Sequence, residues 1–287
     1  MSQYLNAVVL EASQGELFEH VLNDPLLGSS IYVNIAVAGL TLLLFAYMGR
    51  NLVDPRAKLI VVSAMFVSAV SIVSYTGLAS GLTISVLELP EGHALYETTT
   101  QLAHSGETVE GTISLWGRYL TWAFSTPFIL LALGLIAGSN LTRIFTAIAF
   151  DVGIMITGLA AALTTSSYLL RWFWYGISVT FFLVVVYILL VKWPEDAEAA
   201  GTADIFNTLK LLTVVLWFGY TIWWGIGNEG LALIESSGLT SWGYSAFDLV
   251  AKYLFSLLVV RYVVRNVETV GGGKDYGATL DLGPAEE

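Results

Sequence analysis

Seven apolar stretches, each about as long as a bilayer is thick, constrain this chain more than any other feature. They run over residues 31–49, 59–87, 119–142, 144–163, 168–191, 205–227 and 239–260. A helix needs about 20 predominantly apolar residues to cross the hydrocarbon core. Only residues 164–167 separate the fourth stretch from the fifth, so those two must form an antiparallel hairpin. The composition agrees: 56% of the 287 residues are hydrophobic and 12% are charged, with a mean hydropathy of +0.72. The reading is an all-α membrane protein, a bundle of seven transmembrane helices spanning residues 31–266.

Charge asymmetry gives the bundle a direction. Alternate connections and the tail carry Arg50, Arg56, Lys58, Arg143, Lys192, Lys210, Arg261, Arg265 and Lys274. The opposite set carries Glu16, Glu88, Glu91, Glu97, Glu107, Glu110, Glu229 and Glu235, with no Lys or Arg outside the helix ends. The positive-inside rule therefore puts the N-terminus outside and the C-terminus in the cytoplasm. The net charge of −11 collects in loops and tails, which argues against nucleic-acid partners and suits surroundings of high salt. No cysteine is present, which excludes disulfides and thiolate metal sites. His20, His93 and His104 fall in polar connections without ligand spacing and read as solvated loop residues. The basic n-region of a cleaved signal is missing, so the N-terminus is expected to be retained.

Three regions lie outside the spans. Within residues 1–30, the stretch 14–27 has apolar positions Leu17, Phe18, Val21 and Leu22 and reads as a short amphipathic helix on the outer surface. The connection 88–114 is the longest, and His104-Ser105-Gly106 between 96–102 and 108–113 reads as a β-hairpin turn. Residues 267–287 are Gly-rich and acidic and read as a disordered tail.

The seventh stretch holds the sharpest chemical feature, an acid and a base one helical turn apart. Asp248 and Lys252, at i and i+4, share a face. Each unsupported charge costs ~2.5–3.5 kcal/mol at the bilayer centre. The pair is then a structural ion pair, or Lys252 is a buried amine able to form a Schiff base with an aldehyde. Arg171 starts its span beside Trp172 and Trp174 and is expected to snorkel to the interface. On the third stretch Arg118, Thr121 and Ser125 fall on one stripe that Ala132 continues. The stripe has a cation and hydroxyls but no carboxylate, so it can coordinate an anion yet cannot relay a proton as Asp or Glu would. Ser and Thr at such positions also serve as interhelical glue. On the sixth stretch Trp217, Tyr220 and Trp224 form an aromatic stripe. It reads as core packing or as one wall for a flat polyene, with Trp122 closing the other side.

Together RYLTWAFSTP (118–127), WFGY followed three residues later by Trp224, and FDLVAK (247–252) resemble the microbial rhodopsins, specifically the halorhodopsins, archaeal light-driven chloride pumps. The likeness extends from residue 31 to 264. It implies all-trans retinal bound covalently at Lys252 as a protonated Schiff base, with Asp248 as counterion. Thr121 stands where proton-pumping relatives keep an acidic proton acceptor, Ser125 one turn on, and Ala132 in place of their proton donor. The resemblance puts the chloride ion beside Thr121, Ser125 and Arg118, near Ser71 and Ser74, where it completes the neutralisation of the Schiff base. Light-driven isomerisation is expected to move the N–H toward the cytoplasm and draw the chloride with it. Release is expected past Ala132, Thr213 and Lys210, with Glu229 near the outer entrance. Thr126, Gly158, Tyr175, Ser178 and Phe182 are expected to line the retinal with Trp122, Trp217, Tyr220, Thr221 and Trp224, and Tyr220 to hydrogen-bond Asp248.

The family usually has proline at Thr221 and Ser68 and commonly cysteine around Met155 and Val179, so this chain departs there. A straighter sixth helix is the expected consequence. The resemblance further implies a homotrimer with a carotenoid companion in the cell membrane. The sequence itself carries no signature of either companion. Other functions compatible with parts of the pattern are a photosensory receptor signalling through a membrane partner, which would keep an aspartate at Thr121, and a light-gated anion channel.

Overall fold

The computed structural model describes residues 12–271, and the features expected at residues 1–11 and 272–287 lie outside it. Asp-Pro pairs open the first two long helices. Asp24 accepts from the backbone N–H groups of Leu26 and Leu27, both at 2.9 Å, while Pro25 occupies the first helical position, where no N–H is needed. That cap splits the stretch 14–27 into a short helix α1 (Gln14–Asn23), closed at its start by a Ser13/Glu16 capping box, and the start of α2 (Pro25–Gly49). Asp54 and Pro55 repeat the device at α3 (Pro55–Ala79). The first span is therefore longer than hydropathy indicated and the second shorter. Gly81, at φ +70°, turns the chain out of α3. A Cβ there would lie 2.6 Å from the Gln14 carbonyl, so glycine is needed for the close approach to α1.

The third span is α4 (Gly117–Ala137), which ends at the left-handed Gly138 rather than at 142. Asn140 then caps α5 (Leu141–Leu163), which puts Arg143 inside a helix, where it pairs with Asp196 at 2.7 Å. The fifth span is α6 (Tyr168–Tyr187), continued by a π turn (Ile188–Lys192) into α7 (Trp193–Ala200). The sixth, α8 (Ala203–Ile226), is one unbroken helix through Thr221, and α3 likewise runs unbroken through Ser68, whose hydroxyl meets that of Thr41 at 3.0 Å. The seventh comprises α9 (Ser237–Asp248), a π turn (Leu249–Leu254) and α10 (Phe255–Arg265). Six of these courses, the fifth counted through its π turn to Ala200, are long and apolar enough to cross a membrane, and the seventh is interrupted by the π turn that holds Lys252. The chain beyond Arg265 is not irregular at once: Val267–Gly271 forms a further helical turn, α11, against the start of α3.

Four short strands cap the end of the bundle that carries α1. β1 (Ser85–Leu87) pairs antiparallel with β4 (Thr112–Ser114), and β2 (Thr99–Gln101) with β3 (Thr108–Glu110) around the tip at His104-Ser105-Gly106. The histidines of this end are not solvated loops, with the exception of exposed His104. His20 and His93 are each only 4% exposed. His20 Nδ1 accepts the Ala103 N–H at 2.9 Å and so ties α1 to the hairpin tip. His93 Nδ1 accepts from Leu95 at 3.0 Å, and its ring meets Tyr168 edge-on. Hydropathy missed both because it scores polarity and not a ring's fit under a loop.

Burial holds the His20 imidazole below its ordinary 6.5, against the opposing pull of Asp24 and with the help of His104. The fold thus favours the neutral ring. The stability it contributes is complete above about pH 6.5 and falls as pH drops below that value. The protection factor of the Ala103 amide, its exchange rate corrected for the intrinsic base-catalysed rate, should be roughly tenfold lower at about pH 5 than at about pH 7.5, because a protonated Nδ1 cannot accept the bond. Equal protection factors at the two pH values would refute this.

Candidate functional site

Four helices and the seventh course enclose a cavity of about 100 Å³, walled almost wholly by apolar and aromatic groups. From α4 come Trp122 and Thr126, from α5 Gly158, and from α6 Tyr175, Ser178 and Phe182. Trp217, Tyr220, Thr221 and Trp224 of α8 complete the ten residues expected around a polyene. Tyr119, Ile129, Ile154, Met155, Val179, Tyr244 and Ala251 join them, and Lys252 brings its amine to the same wall. Trp122 and Trp217 both line the space, whereas Tyr175 and Trp224 stack on each other at 4.5 Å. Gly158 admits the approach of Tyr119, 3.2 Å from where a Cβ would stand.

Lys252 is 1% exposed and sits in the π turn. Its Nζ lies 3.1 Å from Asp248 Oδ2. Asp248 also takes the Tyr220 hydroxyl at 2.5 Å, the Trp122 indole N–H at 3.3 Å and the Tyr75 hydroxyl. Both carboxylate oxygens are thereby satisfied, which a fully buried charge requires. A π turn inserts one residue into a helical turn and shifts which side chains face inward.

Tyr75 links the pair to Arg118, whose Nη1 donates to the Tyr75 hydroxyl at 3.1 Å. Nη2 of Arg118 donates to the Ser241 hydroxyl at 2.5 Å, to the Ser241 carbonyl at 3.1 Å and to Ser245 Oγ at 3.5 Å. Ser30 of α2 braces both serines, through its own hydroxyl to Ser241 and its carbonyl to Ser245. Arg118 is 2% exposed and forms no ion pair among the described residues. One turn along α4, Thr121 Oγ1 donates to the Gly117 carbonyl at 3.1 Å, and the fully buried Ser125 hydroxyl has no partner. The buried centre therefore holds two cations, Lys252 and Arg118, against one carboxylate, Asp248. The unpartnered Ser125 hydroxyl and Nε of Arg118, a guanidinium with no carboxylate partner among the described residues, can donate to an anion.

The other expected residues are spread along the bundle. Ser71 is buried and donates to the Val67 carbonyl, while Ser74 is half-buried and donates nothing to the ion pair. Ala132 is in the closed apolar core toward the opposite end. Beyond it, Thr213 donates to Leu209 O, and Lys210, half-buried, donates to Asn207 at 2.7 Å. Glu229 lies at the hairpin end and accepts the Tyr119 hydroxyl at 2.8 Å. Arg171 does not snorkel. It is 1% exposed and donates to the carbonyls of Glu229, Ala162 and Thr164 at 2.7, 2.8 and 3.0 Å. Those acceptors come from chain turns that only the fold brings together. Sequence reasoning also passed over Tyr75, Ser241 and Ser245 as Arg118's supports. Asp151, 0% exposed, takes the Thr126 hydroxyl at 2.6 Å and steadies the cavity wall. Its only signal was a carboxylate within an apolar stretch.

A multi-pass helical bundle with one buried amine on the wall of an aromatic cavity is the architecture of a membrane protein that holds a polyene aldehyde. The sequence model described as bacteriorhodopsin-like protein matches residues 25–266. Halorhodopsin of Natronomonas pharaonis is 63% identical over 266 residues, covering 93% of this chain and 90% of that protein. A solved structure described as "Halorhodopsin, a light-driven chloride pump" superposes with a TM-score of 0.80 at 52% identity, covering 86% of this chain and 99% of that one. The bromide-bound form of halorhodopsin from Halobacterium salinarum gives 0.80 at 51% identity over 87% and 98%. The chain belongs to the bacteriorhodopsin-like family, among its halorhodopsins. Membership implies a retinal chromophore, and the cavity's flat aromatic walls, together with the single amine among its lining residues, fit that group.

Proposed function

We propose that this protein is a light-driven inward chloride pump with retinal attached at Lys252. The observation that carries the reading is the charge count at the buried centre, two cations and one carboxylate, beside a helix stripe that offers hydroxyls and no second acid. Joined to Lys252 as a protonated Schiff base, retinal supplies light absorption and a change of shape. Asp248, fixed by Tyr75 and Tyr220, neutralises part of the positive charge. Thr121, Ser125 and Arg118 present the donors that hold a chloride ion as the remaining negative charge. Ser71 and Ser74 of α3 are the further hydroxyls assigned to this anion group. A carboxylate at Thr121 would complete the neutralisation without an anion, and its absence is what makes the centre an anion site. The hairpin end is taken as the outside, so Glu229 flanks the entrance. Ala132 keeps the inner half free of proton-relaying groups, and Thr213 and Lys210 offer donors on the way out.

Illumination of the retinal-bound protein in closed vesicles or cells containing chloride tests this. Uptake should make the interior negative and drive passive proton entry that a protonophore increases. Uptake should also proceed against a chloride gradient, which a light-gated channel cannot sustain. Proton uptake that a protonophore abolishes, or that persists without chloride, would sink the reading.

A further inference from the structure

The π turn over Leu249–Leu254 contains just two polar side chains, Lys252 and Tyr253, and they are tied to different elements. Lys252 pairs with Asp248 of α9 at the bundle centre. Tyr253, 3% exposed, reaches α2, where its hydroxyl donates to the Asn34 carbonyl at 3.3 Å. The Ser71 hydroxyl of α3 lies within hydrogen-bonding reach of the same oxygen. Tyr253 is not among the residues that line the large cavity. It acts on that site only through the backbone it shares with Lys252.

The composition of the segment does not call for a π turn. Leu249, Val250, Ala251 and Leu254 are ordinary helix residues, without proline or glycine, and such a segment by itself closes i→i+4 bonds. Attachments from outside must therefore hold the extra residue in place. Two of them, at successive residues and to two elements, fix the turn about its axis, whereas one alone leaves it free to rewind. The attachment to α2 also reaches the other buried cation. Asn34 Nδ2 donates to the Ser30 carbonyl at 3.0 Å, and Ser30 is the residue that braces the two serines around Arg118. Residues 30 and 34 are one helical turn apart, so a single turn of α2 spaces the Arg118 brace from the turn that carries Lys252.

We propose that Tyr253 is a positioning residue for the retinal-bearing amine: by pinning the π turn to α2 it sets where the Lys252 nitrogen stands against Asp248. The inference rests on the reading of Lys252 as the attachment point. An α turn in its place rotates Lys252 relative to Asp248, because the two geometries advance each residue by different angles. Loosening the amine from its carboxylate weakens the attraction that localises positive charge on the nitrogen, and the gap for light absorption narrows.

Tyr253→Phe keeps the ring and its packing and removes the donor. Reconstituted with all-trans retinal, this variant should absorb at longer wavelength than the unaltered protein, with a thermal midpoint lowered by no more than about 4 °C. The midpoint of the chloride titration of the visible band should rise about threefold, the low end of what one neutral hydrogen bond is worth. Thr41→Val is the control. It removes the hydroxyl contact between Thr41 and Ser68, another link from α2 to α3, two helical turns along α2 from Asn34. That variant should leave the band in place. A band unmoved or moved to shorter wavelength in Tyr253→Phe, or an equal shift in both variants, would overturn the positioning role. Failure of the underlying reading is separate, because colour would then survive in Lys252→Ala.

Discussion

Replacing Lys252 by alanine should yield a protein that acquires no visible absorption band when incubated with all-trans retinal. Lys252 is the single amine among the residues lining the large cavity and is 1% exposed. The loss should be complete, since no neighbouring side chain can form the imine. Truncation leaves Asp248 buried without its cation, and breaking a buried pair costs about 3–5 kcal/mol. The donors from Tyr75, Tyr220 and Trp122 remain and moderate that cost. A double variant with Asp248→Asn separates colour from folding: it should recover thermal stability and stay colourless. A visible band retained in either variant would move the attachment site elsewhere.

Arg118→Gln should weaken chloride binding by about a hundredfold or more, read as the midpoint of the visible-band titration in the reconstituted pigment. The estimate takes an unpaired buried cation acting on a halide as about 3 kcal/mol, with each 1.4 kcal/mol a factor of ten. Gln keeps a donor and much of the volume but removes the charge that leaves the centre one anion short. Arg118→Lys should fall between the two, because an ammonium retains the charge and loses the fork that spans Tyr75 and Ser241. A midpoint in Arg118→Gln within about threefold of the unaltered protein, less than 1 kcal/mol, would remove Arg118 from the anion site.

Much of the architecture was legible because the membrane makes it so. A span must be long, apolar and internally hydrogen-bonded, and that is written in consecutive residues. Boundaries were less legible where a cap outweighed hydropathy. Asp24-Pro25 starts α2 before the strongly apolar run begins, and Gly81 ends the second course while apolar residues continue to Leu87. Lys252, Asp248 and the Arg118 stripe stood out because charge in an apolar run is costly and therefore visible. Arg171 was misjudged for the same reason: its place near a span's end suggested escape to the interface. Three carbonyls from two separate turns hold it inside instead. The burial of His20 and His93 likewise depends on a loop folding back over them, which no local pattern encodes.

The sequence by itself determined the number of spans, the face shared by Asp248 and Lys252, and the lack of a second acid on α4. These follow from composition and helical period, both local properties of the chain. Only the tertiary structure decided that Tyr75 on α3 and Tyr220 on α8 meet at one carboxylate. It also decided that serines of α2 and α9 brace Arg118, and that Tyr253 reaches α2. The physical reason is the same in each case. A side chain's partners across helices are set by how the helices rotate and pack against one another, and packing joins residues that are hundreds of positions apart in the chain.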